Sequence, residues 1–129
     1  LPDVDVAVLE AHAVYEDVDP NEPHIKYFWD VLRNRFSPQE RCDFLQFVWA
    51  RSRPPASSDG WDMPFKIQPG PRCQTPTDEQ LCHSHSCFFS LSLPRYSSAD
   101  VLEKKLRLSI SCKEMDLDVR LTADQVWRQ

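Results

Sequence analysis

From Ile25 onward the apolar residues fall at Ile25, Phe28, Trp29, Leu32 and Phe36, a spacing of three and four that predicts an amphipathic helix entered through Pro23. Ser37, Pro38, Gln39 and Glu40 follow. They offer an N-cap hydroxyl, a proline at the first helical position and a capping-box carboxylate three residues on, which predicts a second helix from about Pro38 to Arg51. Its Phe44, Leu45, Phe47, Val48 and Trp49 are too many for one narrow stripe, so this helix is expected to be buried on much of its circumference, at the centre of the core.

Residues 52–63 (SRPPASSDGWDM) carry no period and read as a loop. Phe65 and Ile67 alternate with polar neighbours up to Pro69 and Gly70, which predicts a short strand. Residues 69–86 have almost no apolar content and read as a second, long irregular stretch of the functional or mobile kind. Cys87, Phe89, Leu91 and Leu93 share one parity and Ser90 and Ser92 the other. This is the two-residue period of a half-buried strand closed by Pro94, with Cys87 at the junction of loop and strand. Ser97 followed by Asp100 caps a last helix in which Leu102, Leu106 and Ile110 step by four along one face and Cys112 lies near the end. At the start of the chain, Val4, Val6 and Val8 alternate like a strand, while Val4, Val8 and Leu9 also suit a helix; both readings stand. The run EDVDPNEP, residues 16–23, is acidic and broken by two prolines, the composition of a linker. Helices and short strands mixed without regular βαβ alternation define an α+β class, a small mixed sheet packed with several helices.

A chain of 129 residues is the size of one ordinary domain, and 41% hydrophobic with 27% charged residues places it among folded proteins. Eleven prolines against two glycines exclude a glycine-rich phosphate loop and with it nucleotide chemistry. The formal charge of -5 and the scattered basic residues argue against nucleic acid as a partner. No stretch approaches the roughly 20 apolar residues of a membrane span, and there is no signal-peptide pattern. Five cysteines, an odd number at irregular spacing, argue for free thiols in a reducing compartment, cytoplasm or nucleus. Leu1 stands where an initiator Met is absent, so the chain reads as a fragment of a longer polypeptide.

Four segments in order, HIKYFWDVL, SPQERCDFLQFVWARSRPP, MPFKIQ and HSCFFSLSLPRYSSADVLEKKL, resemble the C-terminal lobe of HECT-type ubiquitin ligases and cover residues 24–106 nearly end to end. Trp49, in FVWARSR, looks most like the ligases of this family that also carry RCC1-like repeats. The resemblance implies residues 1–22 as the end of a larger N-terminal lobe and the interlobe hinge, and residues 23–129 as the C-terminal lobe. It also implies Cys87 as the catalytic cysteine, which takes ubiquitin from a charged E2 as a thioester and passes it to a substrate lysine without a cofactor. Thioester exchange needs a thiolate and leaves the acyl group activated for a second nucleophile. By the same resemblance His85 and Ser86 flank the cysteine in supporting roles, Ser86 keeping the hydroxyl of the usual threonine. Arg53, in the SRxP turn, packs against the catalytic loop, where it favours a thiolate. The partners implied are ubiquitin, a ubiquitin-charged E2 and a protein substrate, with no nucleic acid and no membrane.

The chain departs from the family pattern at Cys82, Ala50 and Pro54, where Pro, Gly and Leu are usual. Trp127 is the nearest aromatic to the family's late phenylalanine, and Asp116 or Asp118 stands where an acidic group near the acceptor lysine is expected. Two other readings compete. Without the surrounding match, a cysteine at the start of a strand is ordinarily a small buried hydrophobe, and a lobe that only binds ubiquitin would not use it. Cys82, His83, His85 and Cys87 together supply the ligand types of a structural zinc site, although every gap is under three residues, too tight for an easy tetrahedron. Cys42, Cys73 and Cys112 show no pattern.

Overall fold

A computed structural model describes residues 4–49 and 63–127, with side chains described as far as Lys113. The elements run α1 (Val6–Ala11), β1 (Ala13–Tyr15), α2 (Pro23–Asp30) continued by a π-helical turn (Val31–Arg35), α3 (Pro38–Trp49), β2 (Phe65–Pro69), β3 (His83–His85), β4 (Ser90–Leu93) and α4 (Ala99–Trp127). The class is α+β, as the mixture of periods predicts.

The open question at the N-terminus resolves as the helix: Val6 and Val8 lie in α1, and the strand β1 comes only after it, at Ala13–Tyr15. Asp5 caps α1 by accepting from the amides of Ala7 and Val8, at 3.0 and 3.4 Å, and Val6 and Leu9 face inward; the chain then turns into β1. Downstream, Pro23 occupies the first helical position of α2. The helix expected to run through Phe36 instead widens after Asp30 into the π turn, closed by the Phe36 amide on the Val31 carbonyl at 2.9 Å. The capping box of α3 forms as predicted: the Glu40 amide donates to Ser37 Oγ at 3.2 Å and the Ser37 amide to Glu40 Oε1 at 2.9 Å. Cys42, Phe44, Leu45, Phe47, Val48 and Trp49 of α3 are all buried, which is why its pattern is too apolar for a single stripe.

The sheet order is β1-β2-β4-β3, parallel across the first two pairings and antiparallel between β4 and β3. Phe65 and Ile67 from β2 and Leu91 and Leu93 from β4 are fully buried on its inner side. Phe28 meets Phe44 edge-on at 5.6 Å, Phe44 meets Phe65 at 6.0 Å, and Phe65 stacks on Phe89 at 5.1 Å, so one aromatic chain ties α2, α3 and the sheet together. Leu102, Leu106 and Ile110 close this core from α4.

Three sequence expectations need correction. The irregular stretch before Cys87 contains β3 and a short 3₁₀ turn at Thr77–Glu79. The hydroxyl at the start of α4 is Ser98, which accepts from the Val101 amide at 3.2 Å; Ser97 is bound to Asp78 through its amide and its Oγ, at 2.9 and 2.6 Å. Finally, α4 does not end near Cys112 but continues to Trp127, consistent with a sequence that carries neither proline nor glycine after Gly70 and Pro94 to stop it. The loop expected over residues 52–63 lies outside the described residues except for Met63, as do Ala50 and Pro54. No helix among the described residues is long and apolar enough to cross a membrane.

Candidate active site

The loop joining β3 to β4 is a 3₁₀ turn, Ser86–Phe88, followed by Phe89 in the left-handed region at φ 48°. A phenylalanine is an unfavourable occupant of that region. Its ring is held by near-parallel stacking on Trp49, 4.2 Å between centroids at 4°, and by Phe65 on the other side of the cluster. Its carbonyl accepts from the Lys66 amide at 3.0 Å, so the turn is stitched to β2.

This geometry corrects the expected parity. The strand begins at Ser90, not at Cys87. The alternation that would put Cys87 on the buried face with Phe89 is broken by the 3₁₀ turn and the left-handed residue, and Cys87 is exposed. Phe88 beside it is 62% exposed, an apolar side chain in water that the sequence reading does not single out. His85, at the end of β3, is exposed and Ser86, the first residue of the turn, half-buried, so three of the four predicted site residues are consecutive. Arg53, the fourth, lies outside the described residues, and the side chains of Asp116, Asp118 and Trp127 do also.

Against β3 sits Lys113, on the part of α4 beyond Cys112, where the sequence reading expects the helix to be ending. Its ammonium donates to the Phe47 carbonyl at 3.0 Å and to Ser84 Oγ at 2.7 Å, and lies 5.1 Å from the centre of the Phe47 ring. Burial lowers the lysine below its ordinary range, opposed by the charge that a Cys87 thiolate places nearby.

The other candidate ligands point elsewhere. Cys82 is buried; its amide donates to Ser109 Oγ at 2.8 Å, and its sulfur lies 3.5 Å from the Tyr96 hydroxyl, which itself donates to the Gln80 carbonyl at 2.7 Å. Burial pushes the Cys82 thiol up to about 11. With Cys82 turned into the core and His83 and His85 turned out, the four residues do not converge, and among the described residues no group of three or more His, Cys, Asp or Glu could hold a metal. Of the remaining thiols, Cys42 is buried, Cys112 half-buried and Cys73 exposed.

The domain thus holds Cys87 exposed on a short turn anchored by the buried Phe89 ring. A profile of the HECT domain (ubiquitin-transferase) matches residues 1–118. The chain belongs to the HECT-domain family. It is 41% identical over 119 residues to the human E3 ubiquitin-protein ligase HERC2, an alignment covering 91% of this chain and 2% of that protein. Likewise it is 34% identical over 116 residues to E3 ubiquitin-protein ligase pub3 of Schizosaccharomyces pombe, covering 85% of this chain and 14% of that protein. It is 33% identical over 114 residues to E3 ubiquitin-protein ligase UPL1 of Arabidopsis thaliana, covering 85% and 3%. The chain therefore spans only a small fraction of the length of these relatives.

Proposed function

We propose that this chain is the C-terminal catalytic lobe of a ubiquitin ligase and that Cys87 carries ubiquitin as a thioester. The observation that supports this most directly is the contrast between two cysteines five residues apart: Cys82 is buried with its thiol pushed up to about 11, whereas Cys87 stands exposed on a turn held by the Phe89 ring. A thiolate is the reactive form, and exposure admits a macromolecular donor. The Cys87 thiolate attacks the carbonyl of the ubiquitin–E2 thioester; the new carbon–sulfur bond forms as the bond to the E2 sulfur breaks, and the E2 cysteine leaves as thiolate. A substrate lysine amine then attacks the same carbonyl, loses a proton as the amide forms, and releases Cys87 as thiolate. His85 lies near enough in sequence to exchange protons in either step, Ser86 offers a hydroxyl on the same turn, and Arg53 adds positive charge from the SRxP segment.

Within this reading residues 1–22 lead from a larger N-terminal lobe and residues 23–129 form the C-terminal lobe. The partners are ubiquitin, a charged E2 brought close by the larger lobe, and a protein substrate; proximity makes transfer by the lobe alone slow. The test is a thioester trap, with this chain joined to its upstream lobe, charged E2 and ubiquitin, resolved without reductant. A thiol-sensitive adduct is expected in the parent and in Cys82→Ala, and none in Cys87→Ala. An adduct that survives Cys87→Ala, or an absence of adduct in the parent, overturns the proposal.

A further inference from the structure

We propose that Phe88 binds the acyl donor, its exposed ring being the apolar surface on which the C-terminal residues of ubiquitin lie while their thioester carbonyl meets Cys87. The proposal rests on the reading of Cys87 as the nucleophile and adds to it the contact that holds the donor's end.

Phe88 and Phe89 are neighbours with opposite environments. Phe89 is fully buried against Trp49 and Phe65, whereas Phe88 is 62% exposed, the most exposed large apolar side chain among the described residues. Val14, on β1, and Leu108, on α4, are less exposed, and neither belongs to the Cys87 turn. Packing in the core accounts for Phe89 and leaves most of the Phe88 side chain in water. The backbone explains how Cys87 and Phe88 both reach solvent. Successive side chains of a strand point to opposite faces, but in a 3₁₀ turn they diverge by only about 120°. A thiol and the ring next to it can therefore share the exposed side of Ser86–Phe88. Their Cα atoms are about 3.8 Å apart, the spacing across one trans peptide, so a chain whose end is bonded to the Cys87 sulfur passes within reach of the ring.

The position of the thiol selects the occupant. An acyl donor must bring its carbonyl to bonding distance of Cys87, so its last residues are the part of any partner that has to cover this turn. On the N-terminal side of the thiol, His85 and Ser86 offer polar groups, and Ser86 is half-buried. On the C-terminal side Phe89 is sunk in the core, which leaves Phe88 as the exposed apolar contact of the turn. An extended peptide end that covers an aromatic ring removes apolar area from water on both partners.

The experiment follows acylation of the chain joined to its upstream lobe, with Cys87 read by peptide mass spectrometry. Three donors carry the same small leaving thiol: an acetyl thioester, a thioester of a short peptide with ubiquitin's C-terminal sequence, and a thioester of whole ubiquitin. With each, the Cys87 thiolate attacks the carbonyl, a new carbon–sulfur bond forms and the small thiol leaves as thiolate. In Phe88→Ala the rate at low concentration of the peptide and ubiquitin donors is expected to fall by about three- to tenfold, while the acetyl donor reacts as in the parent. The unchanged acetyl rate also reports an undisturbed turn. Phe88→Leu, which keeps an apolar side chain, is expected to recover most of the loss. Equal slowing with all three donors overturns the proposal, because the ring then acts on the turn or the thiol and not on the donor. So does slowing confined to whole ubiquitin, which places the contact on the body of that protein, or slowing seen only when an E2 delivers ubiquitin, which assigns Phe88 to the E2 or the larger lobe. Acylation of Cys87 that Phe88→Ala leaves unchanged overturns this proposal alone; if no donor acylates Cys87 in the parent, the reading of Cys87 fails with it.

Discussion

Phe89 both bends the Cys87 turn and anchors it, and the two roles separate on substitution. The ring is fully buried between Trp49 at 4.2 Å and Phe65 at 5.1 Å, so Phe89→Ala removes a packed aromatic side chain at a cost of about 3–5 kcal/mol. The backbone at φ 48° lies where a Cβ costs about 1–2 kcal/mol, a strain that alanine retains and glycine removes. Glycine returns about 0.5–1 kcal/mol of this as extra freedom in the unfolded chain. Phe89→Gly is therefore expected to be more stable than Phe89→Ala by about 0.5–1 kcal/mol, the reverse of the usual order inside regular structure. Urea unfolding followed by tryptophan fluorescence, with Trp49 reporting on the site, measures both values by linear extrapolation. If Phe89→Ala unfolds at the parent's midpoint the stacking argument fails, and if Phe89→Gly is less stable than Phe89→Ala the strain argument fails.

Other expectations follow from single contacts. A Cβ on Gly70 would stand 3.0 Å from the Pro94 Cα and 3.2 Å from its nitrogen, backbone atoms that cannot swing aside, so Gly70→Ala should lower stability by about 1–2 kcal/mol in the same urea assay. Burial raises the Cys82 thiol from 9.0 to about 11, so the neutral thiol's contribution is complete below pH 9 and is lost as pH rises toward 11. This is on the order of 2 kcal/mol, which Cys82→Ala should make insensitive to pH in alkaline denaturation curves. The hydrogen bond from Arg107 holds the Glu40 carboxyl below its ordinary 4.5, so its stabilisation is present above that pH and lost as pH falls through the lower folded value. Glu40→Gln should flatten the acid limb of the thermal-stability profile. Removing the cap hydroxyl with Ser37→Ala should cost about 1 kcal/mol by thermal or urea unfolding, and an unchanged stability would argue against the capping box.

What could be read from the sequence divides by the kind of force involved. The helices α2 and α3, the strand β2 and the inner face of α4 are specified by side-chain burial at a regular period, and the capping box by two side chains that reciprocate within four residues. β3 left no such trace because HSH is held by backbone pairing to β4 and by Lys113, not by apolar contact. The misplaced start of β4 has the opposite cause. The parity of Cys87, Phe89, Leu91 and Leu93 is real in the sequence, but Phe89 reaches the core from a left-handed residue after a 3₁₀ turn and not from a strand, so the apparent alternation starts three residues too early. Cys87, His85 and Ser86 are singled out only by their resemblance to a known active-site segment. Lys113 is not singled out, because its contacts are with Phe47 and Ser84, 66 and 29 residues away.

A nucleophile that must meet a macromolecular donor has two needs that conflict: exposure for access and immobility for geometry. On the proposed reading of Cys87, the β3–β4 turn meets both by assigning them to different residues. Phe89 is fully buried and bonded through its carbonyl to β2, whereas Cys87, two positions earlier, is exposed. A regular strand could not do this, since residues two apart would share a face and the thiol would follow the ring into the core. The cost of breaking that rule is a phenylalanine in the left-handed region, which persists because the Trp49 and Phe65 rings hold it there. Cys82 marks the alternative: joined to the core through Ser109 and Tyr96, the same functional group has its thiolate suppressed by burial. The local backbone and the aromatic stack thus select which thiol of this segment meets solvent, before any partner arrives.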